Sequence, residues 1–409
     1  MPRRTSVWSL RLIAAAWWGG PPGPRWTPRS SSAGLRHLAA SGSHTGRNAC
    51  VAAALVALLG AGCSRRPQQP PLTRAAEYLW KQQSKDGGWP SHTYGLLRSG
   101  QALTPFVLDA LLEIPNQPTD KIDRAIEFIR KNTSPDGALG MMDPTLPDYP
   151  NYATPLAVSS LSRARRPGWQ QQMAPMVAYL RRMQFNESTG WKYRDAPYGA
   201  WGMGGIDHPP PNPGHVDLSM TRYVIEALRA AGVSPADPAL QSARVFVERC
   251  QNYDPKHPDD ADGGFFFSTT EVETNKAGQV GEHFRSYGTT TADGILALLA
   301  TEPLLDDAKP PNPRIQAAKR WLVSHHKDMA VPGFIGDAYQ RWPKGLAFYY
   351  AAASTQAFRA LQVPVTPAVA DALERSQRPD GSWSNPENLV KEDDPLIATA
   401  FAVRALANR

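Results

Sequence analysis

Cysteine is nearly absent, with three residues in 409. Cys50 and Cys63 lie near the start and Cys250 stands alone beyond them, so no disulfide can form within the body of the chain and no thiol-rich metal cluster is on offer. Long apolar runs are missing too. No stretch of 18 apolar residues occurs, which leaves no candidate for a membrane-spanning helix. Residues 1–62 hold neither lysine nor an acidic side chain, but they hold seven of the 44 basic residues, so residues 63–409 carry 37 basic against 37 acidic. The net charge of +7 and the pI near 9.3 therefore belong to the leader. A body without a basic face lacks the electrostatic footprint of a nucleic-acid protein, so no nucleic-acid partner is expected. At 42 % hydrophobic and 20 % charged, with mean hydropathy −0.41, the body is too apolar for disorder and large enough for a substantial core.

Residues 1–62 read as a leader and 63–71 as a tether. Arg47 provides a positive flank, Ala52 to Gly62 (AAALVALLGAG) form an apolar run, and Cys63 follows small residues. This resembles a bacterial lipoprotein signal, which implies cleavage before Cys63, acylation of its sulfur, export, and a membrane partner reached through that lipid. The stretch before residue 35 is longer than such signals need, which leaves open a start codon placed too far upstream. A twin-arginine signal at Arg3-Arg4 lacks its following pattern, and a transit peptide leaves the Cys63 context unexplained. Ser64 to Pro71 (SRRPQQPP) reads as an extended spacer.

Residues 72–409 contain six copies of one unit: an apolar-periodic helix, a glycine turn usually followed by an aromatic, a loop, and a second helix rich in Ala, Leu and Thr. The turn position recurs at Trp89, Ala138, Trp191, Phe265, Phe334 and Trp383, with insertions in units three and four. A glycine there stops the helix in a positive-φ conformation without a Cβ penalty, and the aromatic can pack back on its helix. Such units cannot bury their apolar faces alone, so they must stack or close.

The turn Gln-x-x-Asp-Gly-x-Trp, at Gln83 to Trp89 and again at Gln377 to Trp383, resembles the repeat of the prenyltransferase/squalene-cyclase superfamily over about Leu72 to Arg409. The resemblance implies an all-α fold, a single (α/α)6 toroid of six hairpins, with second helices lining an inner ring and first helices an outer one. It also implies an apolar or isoprenoid ligand in the central cavity. Class II cyclases of that superfamily protonate an alkene from an Asp-x-Asp-Asp motif. The corresponding place here is Lys391-Glu392-Asp393-Asp394-Pro395, which makes Asp393 the candidate acid and Asp394 its partner, with Lys391 where the first aspartate belongs. A neighbouring ammonium favours the ionised carboxylate, which opposes that role. The alternative is that Asp393 or Asp394 caps the inner helix ahead of Pro395.

No Asp-x-Cys pair is present to match the zinc site of protein prenyltransferases, and no metal or other cofactor is expected. His208, His215 and Asp217 make a weak metal candidate, and His257 to Asp262 an acidic loop that suits solvent or calcium. The insertions supply candidates for a ligand cavity or its mouth: Trp201, Phe265 and Tyr287. Whether the chain is an enzyme stays open at this level, as does any protein partner. A ligand-binding or catalytic toroid, a non-catalytic interaction scaffold, and a carbohydrate-active toroid with paired carboxylates facing one cleft are the three candidates.

Overall fold

The structure, a computed structural model, describes residues 69–142, 148–257, 261–302 and 311–408. The leader, Cys50, Cys63, Asp259 and Asp260 lie outside the described residues. Thirteen helices occur among those described: α1 Pro71–Lys81, α2 Leu103–Leu111, α3 Thr119–Asn132, α4 Pro150–Ala164, α5 Trp169–Arg182, α6 Leu218–Ala230, α7 Pro238–Arg249, α8 Gly288–Thr301, α9 Pro313–His325, the single turn α10 Trp342–Gly345, α11 Ala347–Ala360, α12 Pro367–Ser376 and α13 Pro395–Ala407. A two-stranded antiparallel ribbon, β1 Gln279–Val280 with β2 His283–Phe284, stands in the loop before α8.

Helices α2, α4, α6, α8, α11 and α13 each touch the next, and α13 touches α2, which closes the inner ring of an (α/α)6 toroid. Helices α1, α3, α5, α7, α9 and α12 pack outside it. The two classes differ in burial as their places demand. In α1 only Ala75, Ala76, Leu79 and Trp80 are buried, one stripe of an amphipathic helix, whereas every residue of α2 and eleven residues of α13 are buried. Ala, Ser and Thr in the inner helices allow six helices to pack closely side by side.

One turn geometry links successive outer helices. The Gln83 amide donates to Gly87 O (3.0 Å) and to Lys121 O of α3 (2.9 Å). Gln184 does the same with Gly199 O and Ala239 O of α7, both at 2.8 Å, and Gln251 with Gly263 O and Arg314 O of α9, both at 2.9 Å. Gln377 bonds Gly381 O (2.8 Å) and Pro71 O of α1 (2.9 Å), so the last unit is joined to the first by the bond that joins the others. Two residues after Gly87, Gly137, Gly199, Gly263 and Gly381 an apolar side chain is buried. The indoles of Trp89, Trp201 and Trp383 donate to Leu79 O, Leu180 O and Leu373 O of their own outer helices at 2.6–2.9 Å. The N–H groups of Trp89, Leu139, Phe265 and Trp383 donate to Thr104, Thr154, Thr291 and Thr399 of the inner helices.

Three turn assignments made from sequence change. In unit two the position belongs to Leu139, whose N–H finds Thr154, and not to Ala138. In unit three it belongs to Trp201 and not to Trp191, because the insertion lies between Gln184 and Gly199. In unit five Gly333 packs on Ser286 and Tyr287, and Phe334 stacks with Trp342, so that unit lacks the shared link.

Close approach is what makes glycine obligatory. Gly381 has φ +91, and a Cβ there would lie 2.4 Å from Arg74 O, whereas Gly232 has φ +87 with nothing within 4 Å. Gly232→Ala should cost about 1 kcal/mol, the left-handed penalty alone, and Gly381→Ala about 3 kcal/mol or more, because backbone must also move. Denaturant unfolding of both variants checks this, and equal costs would overturn the steric account.

Candidate functional site

All six inner helices begin at one mouth of the ring, and their first turns are tied side by side. Asp148, just before α4, accepts from Ser99 Oγ (2.8 Å) and Ala102 N (3.3 Å) at the start of α2. Asn151 Nδ2 donates to Gly202 O, whose residue bridges to Val216 ahead of α6, and Leu218 N donates to Phe267 O. Helix N-termini present unsatisfied N–H groups and a partial positive charge, so carboxylates collect there. Asp217 caps α6 through Met220 N (2.7 Å). Glu392 reaches across to Phe348 N (3.1 Å) and Tyr349 N (2.8 Å) of α11.

Asp394 caps α13, accepting from Leu396 N at 2.9 Å and from Ser91 Oγ at 2.5 Å, with Pro395 in the first turn. Burial raises its carboxyl above the usual range. Asp393 is half-buried and accepts from Tyr94 OH at 2.5 Å. Trp201 and Phe265 are completely buried as turn residues, and Tyr287 forms the N-cap of α8 with its ring 5.1 Å from that of Phe334. None of the three lines the void at the ring centre, while Tyr287, at the start of an inner helix, stands at the mouth, the other place expected for them. Their large rings are consumed in holding outer helices, turns and inner helices together.

The ring centre is filled. Phe106 and Phe401 meet edge to face at 4.8 Å, Tyr349 lies 5.3 Å from Phe401, and Tyr152 lies 5.8 Å from Tyr223. The void left among Phe106, Tyr152, Leu156, Tyr223, Val390 and Phe401 has about 10 Å³, roughly the room of one water. Elsewhere in the interior Asp293 accepts from Ser219 Oγ (2.6 Å) and Tyr349 OH (2.5 Å) and lies 3.6 Å from Arg222. Burial pushes Asp293 up to about 6. A larger concavity, about 410 Å³, lies outside the ring between the insertions of units three and four, against Trp191, Pro197, Pro210, Pro211 and Thr269.

Two groups of titratable side chains sit at the mouth. In one, His215 is held between Asp217 Oδ2 and Glu271 Oε2, both at 2.8 Å. Burial alone would lower the imidazole, but the two carboxylates outweigh it and hold it at about 9. Both ring nitrogens are thereby engaged, and His208 packs instead on Gly214, so the structure does not assemble the His208, His215, Asp217 trio as a metal site. Lys276 lies 3.2 Å over the Phe267 ring, and burial brings it down to about 7. Among the described residues no group of three or more His, Cys, Asp or Glu is placed to hold a metal. Asp262 bonds Gly264 N, Ser286 Oγ and Trp321 Nε1, a structural set of contacts.

The other group is Tyr94, Asp148, Lys391 and Asp393, from units one, two and six. Lys391 has φ +63, is 3 % exposed, and its Nζ lies 5.3 Å from the Tyr94 ring centre with no hydrogen-bond partner. Burial brings its amine down to about 7, against the pull of Asp393 and Asp148. Burial pushes Asp148 up to about 7, with Ser99, Ala102 N and Lys391 opposing. Sequence reasoning placed Lys391 beside Asp393 but missed Asp148, whose only signal was an acidic residue just ahead of an inner helix.

No protein-family model matches the sequence, and no curated protein matches it. Solved structures do. A protein from Actinoplanes matches at TM-score 0.52 and 17 % identity, over 83 % of this chain and 98 % of that one. A D-mannose isomerase matches at 0.50 and 12 %, over 81 % and 95 %. A glycoside hydrolase family 76 mannosidase from Bacteroides thetaiotaomicron VPI-5482 matches at 0.50 and 11 %, over 83 % and 97 %. At such identities the likeness is one of fold.

The buried amine sets a pH test. Lys391 loses its proton near 7 when folded and near 10.5 when unfolded, so the unfolded state holds more protons between those values. The destabilisation from Lys391 is therefore full below about 7 and relieved as pH rises toward 10.5. Lys391→Met should raise the Tm by a few degrees at pH 6, with the difference shrinking toward pH 10. An unchanged Tm at pH 6 would contradict the buried, unpartnered amine.

Proposed function

We propose that this toroid acts on a carbohydrate at the mouth where its inner helices begin. The observation that carries the proposal is that Asp148 from unit two and Asp393 from unit six stand at one mouth and both act on one buried amine, Lys391. Two carboxyl groups at one site are what glycosidic and related proton-transfer chemistry needs. Asp148, which burial pushes up to about 7, suits the general acid. Asp393, fixed by Tyr94 OH, suits its partner. A D-mannose isomerase and a mannosidase share the fold. That likeness is compatible with the proposal but does not carry it.

The isoprenoid function that the squalene-cyclase resemblance implies finds support in the aromatic lining of the central void. It is the second reading, because the void has room for about one water. Export and membrane attachment through Cys63 belong to the proposal on the strength of the leader alone. The membrane-extracted protein should begin at Cys63 and carry the added mass of acyl chains, and a chain still beginning upstream would exclude this.

Incubation with mono- and oligosaccharides, followed by chromatography of the products, tests the activity. The wild type should convert at least one sugar, and Asp148→Asn and Asp393→Asn should each reduce turnover by about 100-fold or more. Undiminished turnover in Asp393→Asn would refute its role. A farnesyl probe that binds while no sugar does would favour the second reading, and silence toward both would favour an interaction scaffold.

A further inference from the structure

The concavity between the insertions of units three and four has braced walls. They come from three segments, around Trp191 to Pro197, around Pro210 to Pro213, and at Thr269 and Thr270. Trp191 Nε1 donates to His208 O (2.9 Å), which ties the first segment to the chain entering the second. Thr269 Oγ1 donates to Ala196 O (2.9 Å), which ties the third to the first. Just past Pro213 and Thr270, His215 and Glu271 bond each other at 2.8 Å at the mouth, so the concavity adjoins the mouth. Proline rings, each fixing its own φ, stiffen two of the three walls. An opening of about 410 Å³ held in this way is within the size range of small-molecule sites, whereas the void at the ring centre has about 10 Å³.

The lining has a definite chemistry. Among the described residues no Lys, Arg or His lines it, and its one charged group is Asp195. Asp195 Oδ2 accepts from Lys192 N (2.8 Å), while no donor among the described residues bonds Oδ1. Thr269 Oγ1 has spent its hydrogen on Ala196 O and offers lone pairs. The remaining surface is largely proline and indole. Tyr193, 64 % exposed, stands on the same turn as Asp195, its ring held 5.2 Å from the Arg249 guanidinium and 5.6 Å from the Tyr198 ring. Arg249 itself is turned onto the carbonyls of Tyr193 and Asp195.

We infer that this concavity binds a neutral sugar unit, as a second subsite beside the one at the mouth. A sugar brings hydroxyl hydrogens to Asp195 and Thr269 and C–H faces to the proline and indole rings. A phosphate, a uronate or another anion would meet Asp195 with no lining cation to offset the repulsion. A wholly apolar ligand would cover Asp195 Oδ1 without giving it a donor. The inference rests on the carbohydrate reading and extends it from a single sugar to a chain of at least two units spanning mouth and concavity.

Calorimetric titration of the full chain with mannose, with glucose, and with their linear oligosaccharides of two to six units tests this. Affinity should rise by about 10-fold or more from the single sugar to a longer chain. Ala196→Trp fills the concavity from an exposed position, and Asp195→Ser keeps an acceptor for Lys192 N while removing the free carboxylate oxygen. Each should remove most of that rise and leave affinity for the single sugar within twofold. A chain whose added unit is a uronate should show no rise with the wild type. Equal affinity at every chain length, a rise that survives Ala196→Trp, or a rise that extends to the uronate chain would overturn the subsite while leaving the carbohydrate reading intact. Spermidine binding that is lost in Asp195→Ser, with no gain for any oligosaccharide, would assign the concavity to a cation instead. Absence of binding by every sugar would overturn both readings.

Discussion

A backbone contact at the turn glycines sets the shape of this molecule. At Gly87, Gly137, Gly199 and Gly381 a Cβ would fall 1.8–2.4 Å from a carbonyl oxygen near the start of the next outer helix, and at Gly263 it would fall 3.0 Å from one. A glycine with φ near +90 is what lets the turn come so close. In four units a glutamine amide then spans the turn and the next helix, satisfying a carbonyl on each side. The same contact repeated around the ring rotates each hairpin against the last by a similar amount, so the chain closes on itself through Gln377 and Pro71. Unit five lacks the contact and is held by aromatic stacking around Phe334 instead.

Closure has an electrostatic consequence. Bringing six helices together with their first turns at one mouth concentrates unsatisfied N–H groups and partial positive charge there. Asp148, Asp217, Glu392 and Asp394 answer that demand as caps or cross-links, each largely removed from water. The opposite end is tied by Arg163 and Arg404 on Asp109 and by Asn408 on Glu113. Between them the ring axis is filled by rings of Phe and Tyr, with Asp293 and Arg222 as a buried charged pair in that interior. Asp394 and Glu392 are fully used in holding helices, whereas Asp148 and Lys391 keep bonding capacity in reserve. That difference sets Asp148 apart from the carboxylates that the fold uses fully.

Much of the fold was legible in the chain, and the errors have a common cause. Gln83 and Gln377 stand four residues before their glycines, a spacing local enough to read directly. Gln184 and Gln251 stand 15 and 12 before theirs, with insertions looped out between, so Trp191 looked like the turn residue although Trp201 fills that place. Trp201, read as an aromatic of a cavity or its mouth, is a turn residue buried inside its hairpin, and so is Phe265, which the sequence offered for both places. Nothing in a linear order distinguishes an aromatic that packs on its own helix from one that faces an axis.

The sequence by itself determined the hairpin repeat, its six copies, an aspartate cap ahead of Pro395, and the neutral charge of the body, since each depends on residues within one unit or on a sum over all of them. Tertiary structure alone decided that the ring centre is closed and that Asp148 lies near enough to Lys391 for each to act on the other's charge. Both depend on contacts between units far apart in the chain, and those contacts exist only once the turn glycines and glutamines have bent six hairpins into a ring.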